Sequence, residues 1–229
     1  MVPKPYLQRE RPPIPSALHH CGVLRRGTFH GLLQCHLFPG HVSLNQIPSF
    51  LPEPIETERL IIRVARPGDG PVFNAAIHAS LERLSPWLGW VTPPPTPEQS
   101  EQSCRDAYGR FERNEDLMAF FFLKDGGALV GGSGLHDADW NLRHFEVGYW
   151  GHSAFAGKGL VTEGVKVLAD HALEVLAATR VYLTTDDKNI PSWKLAKRAG
   201  FELEGILRNE RRNLTGGLRD TRVYSRIAG

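Results

Sequence analysis

A mixed α/β domain with a central, largely antiparallel sheet is the fold class that this 229-residue sequence predicts. Three observations carry the expectation. Short apolar or alternating runs are separated by glycine turns, as at Asp125-Gly-Gly127 and Thr215-Gly-Gly217. Longer stretches between them hold apolar residues at helical spacing. Capping and stop residues mark where several of these stretches begin and end.

The elements follow in chain order. Residues 60–64 read as a first strand, and residues 69–79 as a helix. Thr96-Pro97-Glu98-Gln99 is a capping box with proline at the first helical position, after which Cys104, Ala107, Tyr108 and Phe111 keep one face apolar. Residues 117–124 and 128–135 form a hairpin around Asp125-Gly-Gly127, and residues 143–150 form the next strand. Val161, Val165, Leu168, Ala172 and Val175 then recur with helical period, which predicts an amphipathic helix over residues 158–177. Residues 180–185 are strand-like. A short helix follows, with Asn189 as N-cap, Pro191 in the first turn and Gly200 as the stop. Residues 201–208 and 218–227 are strands that bracket the turn at Thr215-Gly-Gly217.

The most informative stretch is Gly148-Tyr-Trp-Gly-His-Ser-Ala-Phe-Ala-Gly157-Lys-Gly159-Leu-Val-Thr162-Glu163, an aromatic strand that enters a glycine turn and then a helix. Free N–H groups at that helix start, with the positive end of its dipole, favour an anion such as a diphosphate. Gly157 and Gly159 let the chain approach it closely. Two commoner phosphate motifs do not fit. A P-loop requires glycine where His152 stands and Ser or Thr where Gly159 stands, and a dinucleotide fingerprint requires a third glycine in place of Thr162.

About thirty residues on, Asn189-Ile-Pro-Ser192 opens the short helix that ends at Gly200-Phe201. With these residues the chain resembles the GNAT superfamily of acyl-CoA-dependent N-acetyltransferases, and within it the RimJ/RimL-type branch. The likeness runs from Glu56-Thr-Glu-Arg-Leu-Ile-Ile-Arg63 through Glu146-Val-Gly-Tyr-Trp150, the glycine turn, Asn189-x-x-Ser192 and Gly200-Phe201-Glu-Leu-Glu-Gly205 to Asp220-Thr-Arg-Val-Tyr-Ser225. It covers most of the chain, in the family's order. The family's turn usually begins with Arg or Gln and ends with Gly or Ala; this chain has Ala156 and Val161 at those places, with Lys158 as a compensating charge.

Residues 1–50 differ from the rest. They hold seven of the 17 prolines and five of the ten histidines, with Lys4, Arg9, Arg11, Arg25 and Arg26 against Glu10 alone. They read as a basic, poorly ordered extension ahead of a domain spanning residues 51–229, the rival being a short strand near residues 32–37. The net charge of +2 therefore belongs to the extension and gives no warrant for nucleic-acid binding by the domain. No apolar run suits a membrane span. His19, His20, Cys21, Cys35 and His36 match no zinc spacing, so no metal is expected. Three cysteines, an odd and sparse set, suggest reduced thiols in a cytoplasm. Cys104, on an apolar helix face, reads as packing.

The resemblance implies direct transfer from acetyl-CoA to a primary amine, with the thioester lying where the strand ending at Trp150 splays from the strand starting at Arg180. The cofactor-binding set is Tyr149, Trp150, Gly151, Gly157, Lys158, Gly159, Leu160, Val161, Thr162, Asn189 and Ser192. Because free α-amino groups titrate near about 8 and lysines near about 10.4, a base or water relay raises the reactive fraction. Glu146 is the first candidate, against a plain strand carboxylate or a partner for Arg143. Glu210 is the second; a shift of one residue would move it to the opposite face. N–H groups near residues 149–151 face the oxyanion, and Ser192 bonds the departing thiolate or merely caps its helix. Trp87 and Trp90 either wall the acceptor pocket or cover the core. Arg208, Arg211 and Arg212 either attract an acidic acceptor or form an exposed face. The acceptor is a protein N-terminus or a small amine, and the chain a monomer or homodimer. The competing class is a catalytically silent acyl-CoA-binding module, motivated by Ala156 and the unassigned base.

Overall fold

The apolar run Leu117–Leu123 (β3) is buried over its first five residues, with Ala119 and Phe121 packed into one cluster and Met118 and Phe120 into another, so both faces of the sheet are covered. The computed structural model describes residues 48–229. Around β3 lie Ile55–Glu56 (β1), Leu60–Val64 (β2), Leu129–Asp139 (β4), His144–Gly151 (β5), Arg180–Asp186 (β6), Glu202–Arg212 (β7) and Leu218–Ile227 (β8). They form one sheet in the order β1-β2-β3-β4-β5-β6-β8-β7. Among the described residues six of the seven neighbouring pairs are antiparallel, and β5–β6 is parallel.

Helices cover both faces. Gly70–His78 (α1), Leu81–Leu84 (α2) and Pro97–Glu112 (α3) enclose a core of Phe73, Ile77, Cys104, Phe120 and Trp150. Leu160–Glu174 (α4) and Ile190–Arg198 (α5) enclose the other, which includes Phe121, Phe145, Leu168, Leu183 and Tyr224. The capping box forms as expected: the Thr96 hydroxyl accepts from Gln99 N–H at 3.2 Å, and Thr96 N–H donates to the Gln99 side chain at 2.8 Å. Between β2 and α1, Arg63 donates twice to Asp69, both at 2.7 Å, and fixes the turn. Burial, with the charges of Asp69 and Glu101, pushes the Cys104 thiol up to about 12, so it stays protonated and acts as packing.

The differences from expectation have local causes. Helix α4 starts at Leu160 because Gly157 and Gly159 adopt φ of +77° and +76°, and it stops at Glu174 shortly before Ala177 at φ +51°. Strand β7 runs to Arg212, past an irregularity between Leu207 and Arg211 where Asn209 is left-handed, since the ladder is made by backbone whatever the side-chain polarity. Strand β1, helix α2 and the 3-10 turns Gly89–Val91 and Ser153–Phe155 carry too few residues for a periodic signal. Of the extension over residues 1–50, all but residues 48–50 lies outside the described residues, as do the strand near 32–37 and the His19, His20, Cys21, Cys35 and His36 group. Phe50 itself is fully buried against Trp140 and Phe145, and its carbonyl accepts from His171 Nε2 at 2.8 Å.

β4 carries Gly131-Gly132-Ser133-Gly134 because its neighbours come too close for side chains. A Cβ on Gly131 would stand 2.5 Å from the Trp150 carbonyl oxygen, a backbone atom that cannot swing away. Gly131→Ala should therefore lower stability by about 1–3 kcal/mol, as overpacking does. Gly205→Ala, where nothing lies within 4 Å, is the control. Urea unfolding midpoints check this, and equal midpoints for both variants would remove the close-approach explanation.

Candidate active site

A wedge opens between two strands that ought to be neighbours. The parallel ladder pairs His144 with Arg180, Phe145 with Val181 and Glu146 with Tyr182, and goes no further. Beyond that point β5 stays with β4 as far as the Gly151–Gly131 pair, while β6 stays with β8 as far as the Asp186–Thr221 pair. Two bonds fix which peptides face the wedge. Thr179 N–H donates to the Arg143 carbonyl at 3.0 Å, so the odd-numbered peptides of β5 point towards β6; His152 N–H donates to the Val130 carbonyl at 3.0 Å, so the even-numbered ones point towards β4. Val147, Tyr149 and Gly151 thus present backbone groups to the wedge.

Trp150 departs from its expected place among the wedge-facing donors. Its peptide points to β4 and its ring is buried in the core with Phe73, 5.6 Å between centroids. Strand alternation separates it from Tyr149 and Gly151.

The glycine turn stands at the mouth of the wedge. The first helical bond of α4 runs from Glu163 N–H to the Gly159 carbonyl at 3.0 Å, so the N–H groups of Leu160, Val161 and Thr162 lie outside the helix ladder. A Cβ on Gly157 would meet nothing within 4 Å, leaving room for a ligand at the turn. The Val161 side chain points to the sheet instead, where Cβ positions on Gly131 and Gly151 would be only 3.2 and 3.0 Å from its Cγ2. Two glycines of the sheet therefore absorb the bulk that Val161 brings. The Lys158 ammonium lies 5.2 Å from the Phe155 ring centroid. A cradle of main-chain donors, an open approach and a cation on its rim fit a diphosphate.

Sequence reasoning missed what stands behind this turn. Arg59, just before β2, donates from Nε to Glu163 at 2.7 Å and from a terminal nitrogen to the Lys158 carbonyl at 3.1 Å, and the Thr57 hydroxyl donates to the other Glu163 oxygen. Burial raises the Glu163 carboxyl, but the bonds from Thr57 and Arg59 and the Arg59 charge outweigh it and hold the carboxyl below its ordinary range. Residues a hundred positions apart leave no periodic or local signal.

The two faces of the wedge carry different groups. Glu146, 6% exposed, shares the α1–α3 face with Trp150 and accepts from the Thr184 hydroxyl at 2.9 Å. Trp90 packs near Phe73 on that side, 6.0 Å between centroids, and so belongs to the core cover as well as the rim. Trp87 is exposed, and Leu214 from the β7–β8 turn reaches the adjoining Gly89, with 3.1 Å to its Cβ position. Glu210 lies on β7, with β8 and β6 between it and the wedge. Its carboxylate is held by Arg211 at 2.6 Å and by Thr221 at 2.9 Å, and Thr221 pairs with Asp186, four residues along β6 from the partner of Glu146. That is roughly 13 Å at about 3.3 Å per residue. The irregular ladder around Asn209 sets this position. Arg212 donates to the Gly216 carbonyl at 2.7 Å, so it and Arg211 serve the hairpin.

On the opposite face, Tyr149 Oη donates to the Ser192 carbonyl at 2.9 Å and lies 3.0 Å from Ser192 Oγ. Asn189 caps α5 and aims Ser192 towards β5: its side chain accepts from Ser192 N–H at 3.4 Å. Burial pushes the Tyr149 phenol up to about 12, with the Ser192 bond acting the other way, so the phenol keeps its proton and remains a donor. Among the described residues no group of three or more His, Cys, Asp or Glu side chains could hold a metal ion, and no helix is long and apolar enough to cross a membrane.

Known proteins share this arrangement of elements. The family model for the acetyltransferase (GNAT) domain matches residues 59–202. The Bacillus subtilis (strain 168) protein named as ribosomal N-acetyltransferase YdaF is 29% identical over 152 residues, 66% of this chain and 82% of its own length. Among solved structures, RimL, the ribosomal L7/L12 alpha-N-protein acetyltransferase in complex with coenzyme A, superposes with a TM-score of 0.71 at 20% identity, covering 77% of this chain and 98% of that one. The microcin C7 self-immunity acetyltransferase MccE, in complex with acetyl-CoA and AMP, gives 0.71 at 20% identity over 78% and 98%. At these identities the two structures establish likeness of fold.

The raised phenol gives a pH signature with a definite sign. The folded chain keeps the Tyr149 proton up to about 12, whereas an unfolded tyrosine releases it near 10.0. Its contribution to stability is therefore complete below pH 10 and declines as pH rises from 10 towards 12. Tyr149→Phe should flatten that alkaline decline in urea unfolding. An identical decline in parent and variant would mean that Tyr149 titrates normally.

Proposed function

The chain belongs to the acetyltransferase (GNAT) family and is an acyl-CoA-dependent N-acetyltransferase, and we propose that its donor is acetyl-CoA and its acceptor a primary amine that meets the donor in the wedge between β5 and β6. The single observation that carries this reading is that the parallel ladder ends at Glu146, with a carboxylate on one face, a Tyr149–Ser192 pair on the other and the N-terminus of α4 at the mouth. None of the comparisons supports a catalytically silent module.

In this reading the N–H groups at residues 157–162 hold the diphosphate, and Lys158 lies at its rim. The exposed backbone groups of Val147, Tyr149 and Gly151 take the pantetheine arm as an added strand would be taken. Bound acetyl-CoA supplies an acyl carbon activated as a thioester. Glu146 accepts the proton of the incoming ammonium, directly or through water, and Thr184 holds the carboxylate in place. The N–H groups of Tyr149 and Gly151 face the charge that develops on the thioester oxygen. Ser192 donates to the departing sulfur on the opposite face, and the protonated Tyr149 holds the Ser192 carbonyl in place. Entry of the amine from one face and departure of the thiolate to the other keeps the two proton movements apart.

Trp87, Trp90 and Leu214 border the amine's entrance in this proposal, and both a protein N-terminus and a small amine satisfy its chemistry. RimL is named for the first kind of acceptor. A cytoplasmic location belongs to the same proposal and rests on the sparse cysteines, of which Cys104 is a buried free thiol.

Thiol release from acetyl-CoA, measured over a panel of peptides with free N-termini and small primary amines, tests the proposal. Glu146→Gln should lower turnover about 10²- to 10⁴-fold. Ser192→Ala should lower it about tenfold or more, the worth of one hydrogen bond to a charged group. Calorimetric affinity for coenzyme A should change little in either. Parent-like turnover in a variant would strike that residue from the chemistry, and coenzyme A binding without turnover of any amine would refute the acceptor class.

A further inference from the structure

Arg59 stands where the diphosphate turn is controlled, although it lies nearly a hundred residues upstream of it in the sequence. Its guanidinium makes two contacts of different kinds. One nitrogen holds the Lys158 carbonyl at 3.1 Å, and the Nε edge holds the Glu163 carboxylate at 2.7 Å. The other terminal nitrogen is 3.8 Å from the Cβ position of Gly159. Thr57 completes the group, since its hydroxyl donates to Glu163 and accepts Leu60 N–H at 2.8 Å.

Each contact has a consequence for an anion at the start of α4. In a trans peptide the carbonyl and the following N–H point in opposite directions. With the Lys158 carbonyl turned to Arg59, the Gly159 N–H is aimed away from Arg59. Gly159 sits at φ +76° and offers little steric resistance to a flip of that peptide, which would replace a donor by a carbonyl. The second contact concerns charge. Glu163 places a carboxylate in the first turn of the very helix whose positive end attracts the ligand, and it competes with any bound anion. Arg59 cancels that charge. Ala156 has no polar side chain to do either task.

We propose that Arg59 is the positioning residue of the diphosphate subsite: it pins the Lys158–Gly159 peptide with its donor outward and masks the negative charge of Glu163. This inference rests on the proposed acetyl-CoA reading, and its test separates the two.

Calorimetric titration with coenzyme A, on the full chain, of Arg59→Ala, Glu163→Gln and the double variant reads the effect. Arg59→Ala should weaken binding about tenfold or more, the worth of a charged hydrogen bond. Glu163→Gln should bind coenzyme A as tightly as the parent or a few-fold more tightly, because the guanidinium is then unmatched beside the anion. The double variant should recover part of the loss seen in Arg59→Ala. An ion pair that only braced the fold would weaken binding in both single variants and would show no recovery in the double. In turnover, Arg59→Ala should raise KM for acetyl-CoA with kcat unchanged. If Arg59→Ala does not fold, the direction of the Glu163→Gln change decides: weaker binding overturns the proposal. Parent-like affinity in Arg59→Ala also overturns it and leaves the acetyl-CoA reading intact, whereas a parent chain that fails to bind coenzyme A refutes that reading and this inference together.

Discussion

The site depends on the short parallel ladder between β5 and β6. A parallel pair requires a crossover connection, and here the crossover is the glycine turn and α4, which leaves from the carboxyl end of β5 and returns to the start of β6. The helix N-terminus is consequently placed at the carboxyl ends of the strands, on the side to which the wedge opens. Each strand then follows a different partner, β5 keeping to β4 and β6 to β8. The wedge and the place of the α4 N-terminus are two outcomes of one connection, and neither needs a dedicated loop.

That geometry also separates the chemistry by face. Strand alternation sends Glu146 towards α1 and α3 and Tyr149 towards α4 and α5, three residues apart on the same strand. A carboxylate and a phenol that stays protonated thus flank one gap from opposite faces. Tight packing keeps the faces in register. The glycines of β4 let β5 lie close, and Val161 fills the space that Gly131 and Gly151 leave.

Much of this was legible in the sequence, for reasons that differ between residues. The helix α3 start, the Asn189 cap and the glycine turn are local features, since a capping box or a left-handed glycine acts within a few residues. The places of Glu146 on β5 and of Ser192 in the first turn of α5 followed from the order of motifs along the chain. The position of Glu210 depends on a ladder irregularity near Asn209, and an irregularity inside a polar strand has no pattern to reveal it. The direction of the Trp150 peptide was not legible, because a strand peptide takes its direction from the partner strand. The Thr57–Arg59–Glu163 group was invisible for a third reason, which is that α4 brings it together across the sheet. Val161 departs from the family's turn, and the neighbouring glycines explain why its side chain is accommodated.

The account is tested most directly by a crystal structure of the chain with acetyl-CoA. It predicts diphosphate oxygens at about 2.7–3.2 Å from main-chain nitrogens within residues 157–162. It also predicts the thioester between β5 and β6, with Glu146 on one side and Ser192 on the other. Density that places the diphosphate away from α4, or the thioester outside the wedge, would contradict it.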